Sequence, residues 1–126
     1  MGSLANPLSI ALAVGSQFVQ NYQIKNPDGS LANIGSSTFE FVVRTDPSQP
    51  STVTPVFSVT TVASPSGSIS INTVTSTVTV TVFPVATALL SQAVGTYYYT
   101  LWENQGTTSA MAVFSGTAFA QFVAQP

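Results

Sequence analysis

The chain has 126 residues and six charged side chains, Lys25 and Arg44 against Asp28, Glu40, Asp46 and Glu103, for a net charge of -2. It contains no His and no Cys, which excludes Cys/His zinc sites, haem ligation by His, Cys or His nucleophiles, Ser-His-Asp triads and disulfide frameworks. Two cations are too few to neutralise a run of phosphates, so no nucleic-acid partner is expected.

Charged residues make up 5% of the chain, against about 25% in an average soluble protein. The hydrophobic fraction is 44%, so the low charge does not signal disorder, which needs few apolar residues. The length suits one domain, 1–126, that buries roughly 65% of its unfolded surface. Residues 1–8 are expected to form an N-terminal extension or arm. The apolar run from Leu8 to Val14 has no Lys or Arg before it, so it reads as a strand rather than a signal peptide. It is also far shorter than the about 20 apolar residues needed to span a bilayer. A soluble chain without a membrane partner is expected.

Val, Ile, Thr, Phe and Tyr dominate the rest, with Gly, Pro, Asn and Asp between the runs, a pattern that predicts an all-β domain. Strands are expected at about 9–15 and 17–25, the second with Phe18, Gln20, Tyr22 and Ile24 on one parity. Asn26-Pro27-Asp28-Gly29 predicts a turn: Pro27 presets its φ, Asp28 bonds nearby backbone, and Gly29 accepts positive φ. A strand over 38–45 points Phe39, Phe41 and Val43 one way, and Glu40, Val42 and Arg44 toward solvent. Two prolines, Pro47 and Pro50, exclude ladder pairing after it, and a fourth strand follows at about 56–63.

Between 67 and 83 the apolar parity switches from odd (Ile69, Ile71) to even (Val78, Val80, Val82). One straight strand cannot bury a single face across that switch, because the side-chain period is two. A bulge or a turn therefore lies near 72–76, and a hairpin-like turn is favoured, with strands at 67–72 and 77–83. Pro84 to Leu90 is the only helical candidate, one or two turns with Pro at the start. The last strands are expected at 96–103, 109–115 and 117–123, with Gly116 as a turn or as a bulge in one long strand. About seven to nine short strands with turns at short spacing predict an antiparallel β-sandwich with one short helical turn near 85–91.

No catalytic, cofactor-binding or metal-ligating residue emerges. Asp28 and Asp46 have plain turn roles. Glu40 and Glu103 could in principle approach each other, but a catalytic pair needs a cleft and tuned pKa values; surface roles are expected. Asp28 with Asn26 is too little for a calcium site.

The aromatic cluster carries more information. In Tyr97-Tyr98-Tyr99-Thr100-Leu101-Trp102, one face holds Tyr97, Tyr99 and Leu101, and the other holds Tyr98, Thr100 and Trp102. A strand with one wet face does not need large aromatics on both sides. Either the second face is packed under the 84–94 connection, or Tyr98 and Trp102 belong to a partner-contact surface, or they form an aromatic platform for sugars. Val78, Val80 and Val82 lie on a flat, uncharged, strongly β-prone strand. That strand is either central in its sheet or an edge covered by a partner chain, which makes the three valines candidate contacts.

Two patterns resemble known folds. Leu90-x4-Gly95-Thr96-Tyr97 resembles the tyrosine corner of immunoglobulin-like sandwiches, which implies a structural role for Tyr97; the Cys pair and core Trp of antibody domains are missing. The order Tyr22-Gln23-Ile24-Lys25-Asn26-Pro27-Asp28-Gly29-Ser30, Ser37 to Arg44, the 67–83 ladder, Gly95 to Leu101 and Phe114-Ser115-Gly116-Thr117-Ala118-Phe119 resembles small β-sandwich domains of tailed-bacteriophage virion proteins. These include the N-terminal domain type of baseplate upper proteins. The resemblance covers about 80% of the chain and carries no catalytic residues. It implies an Ig-like, non-enzymatic virion component that is assembled in the host cytoplasm. The implied role is a capsid decoration (cement) protein or a tail or baseplate accessory. The implied partners are major capsid or tail/baseplate proteins and further copies of the chain. A carbohydrate-binding or cell-surface adhesin module using exposed aromatics is the alternative.

Overall fold

The computed structural model describes residues 9–50, 52–91 and 93–122; the expected N-terminal arm and the last residue of the expected final strand, Val123, lie outside them. Among the described residues the strands are β1 (Ile10–Ala13), β2 (Phe18–Gln23), β3 (Phe39–Arg44), β4 (Phe57–Thr60), β5 (Gly67–Asn72), β6 (Thr77–Val82), β7 (Thr96–Glu103) and β8 (Met111–Gln121). A short helix, α1 (Pro84–Thr87), precedes β7, with Pro84 in its first turn.

Two sheets face each other, one in the order β1-β8-β7-β3-β4 and one in the order β2-β6-β5. With β2 to β8 lettered B, C, C′, D, E, F and G, these are the G-F-C-C′ and B-E-D sheets of an immunoglobulin-like sandwich. The expected antiparallel pairing holds for every ladder but one: β1 runs parallel to β8, with Ile10 beside Ala118.

The core lies between the sheets and follows the period of two. Phe39, Phe41 and Val43 of β3 meet Tyr97, Tyr99 and Leu101 of β7 and the β6 valines, all buried. The parity switch after Ile71 is a reversal: Asn72 faces Thr77 across a turn, and Asn72 Oδ1 accepts the backbone N–H groups of Val74 and Thr75 at 3.0 and 3.2 Å. Gly67 is required where β5 begins. It has φ +147°, and a Cβ there would lie 2.0 Å from the Thr81 carbonyl oxygen.

The expected final pair of strands is one strand, and its bulge is not at Gly116. Gly116 pairs in register with Tyr99, whereas Leu101 faces Phe114 and Trp102 faces Ala112. Val113 is the extra residue, and it is buried. The extra residue resets parity, so β8 keeps apolar side chains inward on both sides of the bulge.

Val78, Val80 and Val82 are not partner contacts. β6 has β2 on one side and β5 on the other, and each of the three valines is 0% exposed in the core. The absence of charge on this strand reflects a central position, where both ladders are filled and burial of each valine is worth about 1.5–3 kcal/mol.

Candidate functional site

The start of β7 is held from the corner before it. The Ser91 backbone N–H donates to the Tyr97 hydroxyl oxygen at 2.6 Å. Leu90 and Ala86 are buried beside it in the core, and Gly95 turns the chain with φ +74°. The Gly95 carbonyl then accepts the Ala120 N–H at 2.9 Å, which ties the corner to β8. Thr87 donates its hydroxyl to the Ser16 carbonyl at 2.8 Å, so the same segment also closes the β1–β2 end.

That segment does not cover the outer face of β7. The described residues of that segment, 84–91 and 93–94, pack under Tyr97 at the end of the core. Tyr98, Thr100 and Trp102 line an open cleft of about 610 Å³, and none of the segment's described residues borders it. The cleft runs over the middle of the five-stranded sheet. Arg44 of β3 stands beside Tyr98, Val42 beside Thr100, and Glu40 beside Trp102; on the other side Thr117 stands beside Tyr98 and Ser115 beside Thr100.

Pro47 and Gln49, from the loop after β3, form a further wall. That loop is fixed at both ends. Asp46 Oδ1 accepts the Ser48 N–H at 2.9 Å and its hydroxyl at 2.8 Å. Arg44 Nη1 donates to the Val53 carbonyl at 2.6 Å. As a result Val42 is only 7% exposed although it points away from the core. The far rim is Ser9 and Thr117, whose hydroxyls are 2.9 Å apart.

The chemistry of this cleft is aromatic and hydroxylic, with a single charge, Arg44, in its lining. Tyr98 and Trp102 are four residues apart on one face of a strand, hence separated by about 13 Å. The sequence pointed to both aromatics by parity. It did not point to Pro47 and Gln49, because nothing local in a Pro-rich loop says which face it folds back on.

The carboxylates do not form a pair. Glu40 lies on the outer face opposite Trp102, and Glu103 on the inner face opposite Phe39. The expected surface role of Glu103 is corrected: it is 0% exposed. The Ser37 hydroxyl donates to its Oε2 at 2.6 Å, and its Oε1 is buried without a hydrogen-bond partner. Parity carries the signal, since Glu103 continues the inward series of Tyr97, Tyr99 and Leu101.

Asp28 is in the expected turn, accepting the Ser30 hydroxyl at 2.6 Å and the Ser30 N–H at 3.0 Å. Pro27 and Gly29 stand beside it, with Gly29 at φ +90°. The Ser30 hydrogen bonds hold the Asp28 carboxyl below its ordinary range, and those of Ser48 do the same for Asp46. Among the described residues no three carboxylates gather where they could hold a metal ion.

Compared with known protein families, the chain matches none, and no curated protein matches it.

Proposed function

We propose that the protein is a non-enzymatic structural component of a tailed-phage virion, a capsid decoration (cement) protein or a tail or baseplate accessory. It docks on neighbouring virion proteins through the outer face of the five-stranded sheet. The observation that carries this reading is the cleft itself: the half-buried Tyr98 and Trp102 line it together with Val42 in a chain with no charged residue between Asp46 and Glu103. Aromatic anchors in a water-excluding surround supply most of the energy in protein interfaces, and a contact with few charges leaves few ions to desolvate. In a multi-copy shell or tail each further contact is effectively intramolecular, so modest single contacts suffice.

The test is made on intact particles. A photo-crosslinking amino acid at position 98 is carried into purified particles of the phage that encodes the chain, and crosslinked neighbours are identified by mass spectrometry. The reading expects the chain in stoichiometric amounts and a crosslink to a capsid or tail protein. Absence of the chain from particles overturns it.

One observation favours a second reading. The two aromatics about 13 Å apart and the polar rim of Gln49, Ser115 and Thr117 also suit an oligosaccharide. Glycan arrays probed with the wild type and with Trp102→Ala decide it: no binding to any glycan removes this reading.

A further inference from the structure

The smaller sheet has an open border at β5. Gly67 faces Val82, Ile69 faces Val80 and Ile71 faces Val78 across the ladder with β6. The N–H and C=O of Gly67 both bond to Ser64, on the side away from β6, at 3.1 and 3.0 Å. In an antiparallel ladder the direction of bonding alternates residue by residue. Ile69 and Ile71 therefore also aim their N–H and C=O away from β6, and no other strand pairs there among the described residues.

The opposite border of this sheet is guarded. The Thr87 hydroxyl reaches the Ser16 carbonyl where β2 begins, and the chain folds back beside its end through the Lys25–Leu31 bridge and the bond from the Ala32 N–H to the Ile24 carbonyl. At β5 the corresponding cover among the described residues is the Ser64 bridge at Gly67 alone, and it stops short of Ile69 and Ile71. The strand also carries no Lys, no other charge and no Pro within Gly67–Asn72, the devices by which soluble proteins block edge pairing.

We propose that β5 is a self-pairing edge that takes β5 of a second copy of this chain, antiparallel about a two-fold axis. Ile69 then stands opposite Ile71 of the second copy, and Ile71 opposite its Ile69, and each pair exchanges both backbone bonds. Ser70 lies on the axis and faces its own counterpart. The two three-stranded sheets become one sheet of six strands.

A second copy fits better than an unlike strand for two reasons. The outward backbone groups sit symmetrically about Ser70, so the edge is its own complement. The side chains that meet on the outer face, Ser68, Ser70 and Asn72, are small and uncharged, so like copies do not repel. The inference goes beyond the proposed function and fails separately from it: a chain found in particles but unable to pair through β5 ends this proposal and leaves the virion role standing.

Ser70 gives the test, because it is exposed and the chain has no Cys. Residues opposite each other in a non-hydrogen-bonded antiparallel pair have Cα atoms about 4.5 Å apart, within the about 4.4–6.8 Å that a disulfide spans. Ser70→Cys is expected to form a disulfide-linked dimer under mild oxidation at least tenfold faster than Ser68→Cys, whose counterpart lies several residues away. Sedimentation is expected to show at least tenfold weaker association for Ser70→Lys and for Ser70→Glu, each with wild-type thermal unfolding. An equal mixture of the two is expected to associate again, since opposite charges then meet on the axis. A wild type that stays monomeric at millimolar concentration, equal crosslinking at positions 68 and 70, or a mixture that fails to associate overturns the proposal. A Ser70→Cys crosslink in particles to an unlike protein overturns it in favour of strand addition by that protein.

Discussion

Tyr22 of β2 and Tyr99 of β7 join the two sheets, with ring centroids 6.4 Å apart. Tyr99 follows the corner tyrosine by two residues, where antibody-type domains place the second cysteine of the inter-sheet disulfide. Phe41 stacks on Tyr99 at 5.5 Å, on the strand that carries the core Trp in those domains. Phe114 packs on Tyr22 at 4.8 Å. An aromatic stack thus occupies the place of a disulfide and a Trp in a chain without cysteine.

Both phenol hydroxyls are buried, and no hydrogen bond of good geometry joins them to each other or to another group. Tyr99→Phe is therefore expected to change stability by less than about 1 kcal/mol, because a polar atom without a partner contributes little that can be lost. Tyr99→Ala removes the ring and leaves a cavity, at a cost of about 3–5 kcal/mol. Urea unfolding of the two variants measures the contrast, and equal losses would show that the hydroxyl matters after all.

The same pair gives an alkaline dependence. Burial raises the Tyr22 phenol above its ordinary value of 10.0, and the neighbouring Tyr99 raises it further. Burial raises Tyr99 as well. Between the ordinary and the raised values the unfolded chain has released these protons while the folded chain retains them, so stability falls as pH rises. The contribution is whole below about pH 10 and shrinks above it. Unfolding followed between pH 9 and 12 is expected to show this slope, with a shallower one in the Tyr22→Phe, Tyr99→Phe double variant.

Tyr97 makes a different kind of contact. Its hydroxyl accepts the Ser91 N–H, so Tyr97→Phe leaves that backbone donor without its partner. The expected loss is about 1 kcal/mol, the usual net worth of such a bond. Hydrogen exchange at the Ser91 amide is expected to speed up while the β6 amides keep their protection. Equal acceleration in both places would assign the loss to global unfolding instead.

Parity made much of this fold legible. The switch between Ile71 and Val78 announced the β5–β6 hairpin, and Gly95-Thr96-Tyr97 announced the corner. What parity could not supply was the neighbour of each strand. An uncharged run such as Val78-Thr79-Val80-Thr81-Val82 has the same pattern at the middle of a sheet as at its border, and only the pairing of β2 and β5 with β6 distinguishes the two. The bulge at Val113 was hidden for a related reason: Gly116 has the backbone freedom for a bulge, yet the register of Phe114 and Ala112 is set by packing against β7. The cleft was half legible, since Tyr98 and Trp102 share a parity, while Pro47 and Gln49 reach it through long-range folding of a loop.

Glu103 is the polar group with most at stake in the core. Its carboxyl accepts one hydroxyl, that of Ser37. Ser37→Ala withdraws this donor and leaves a fully buried carboxyl group alone, which is expected to cost about 2 kcal/mol. Ser36→Ala, one residue earlier and exposed, is expected to cost under about 0.5 kcal/mol. Thermal or urea unfolding compares them, and similar values would mean that the Ser37 contact carries no stability.

Trp102 and Val80 separate surface from core on two neighbouring readouts. Val80 is fully buried at the centre of β6, so Val80→Ala is expected to lower stability by about 2 kcal/mol through lost burial and an unfilled cavity. The folded fraction of that variant is expected to bind the partner of the proposed function as the wild type does. Trp102 lines the outer cleft, so Trp102→Ala is expected to keep most of the stability and, under the proposed function, to weaken binding to the virion partner it calls for by thirtyfold or more, which corresponds to about 2 kcal/mol for an aromatic anchor. Unfolding curves and titration calorimetry on the two variants give both numbers. If Val80→Ala weakens binding by the larger factor, the contact surface lies on the small sheet, and the outer face of the large sheet loses its role.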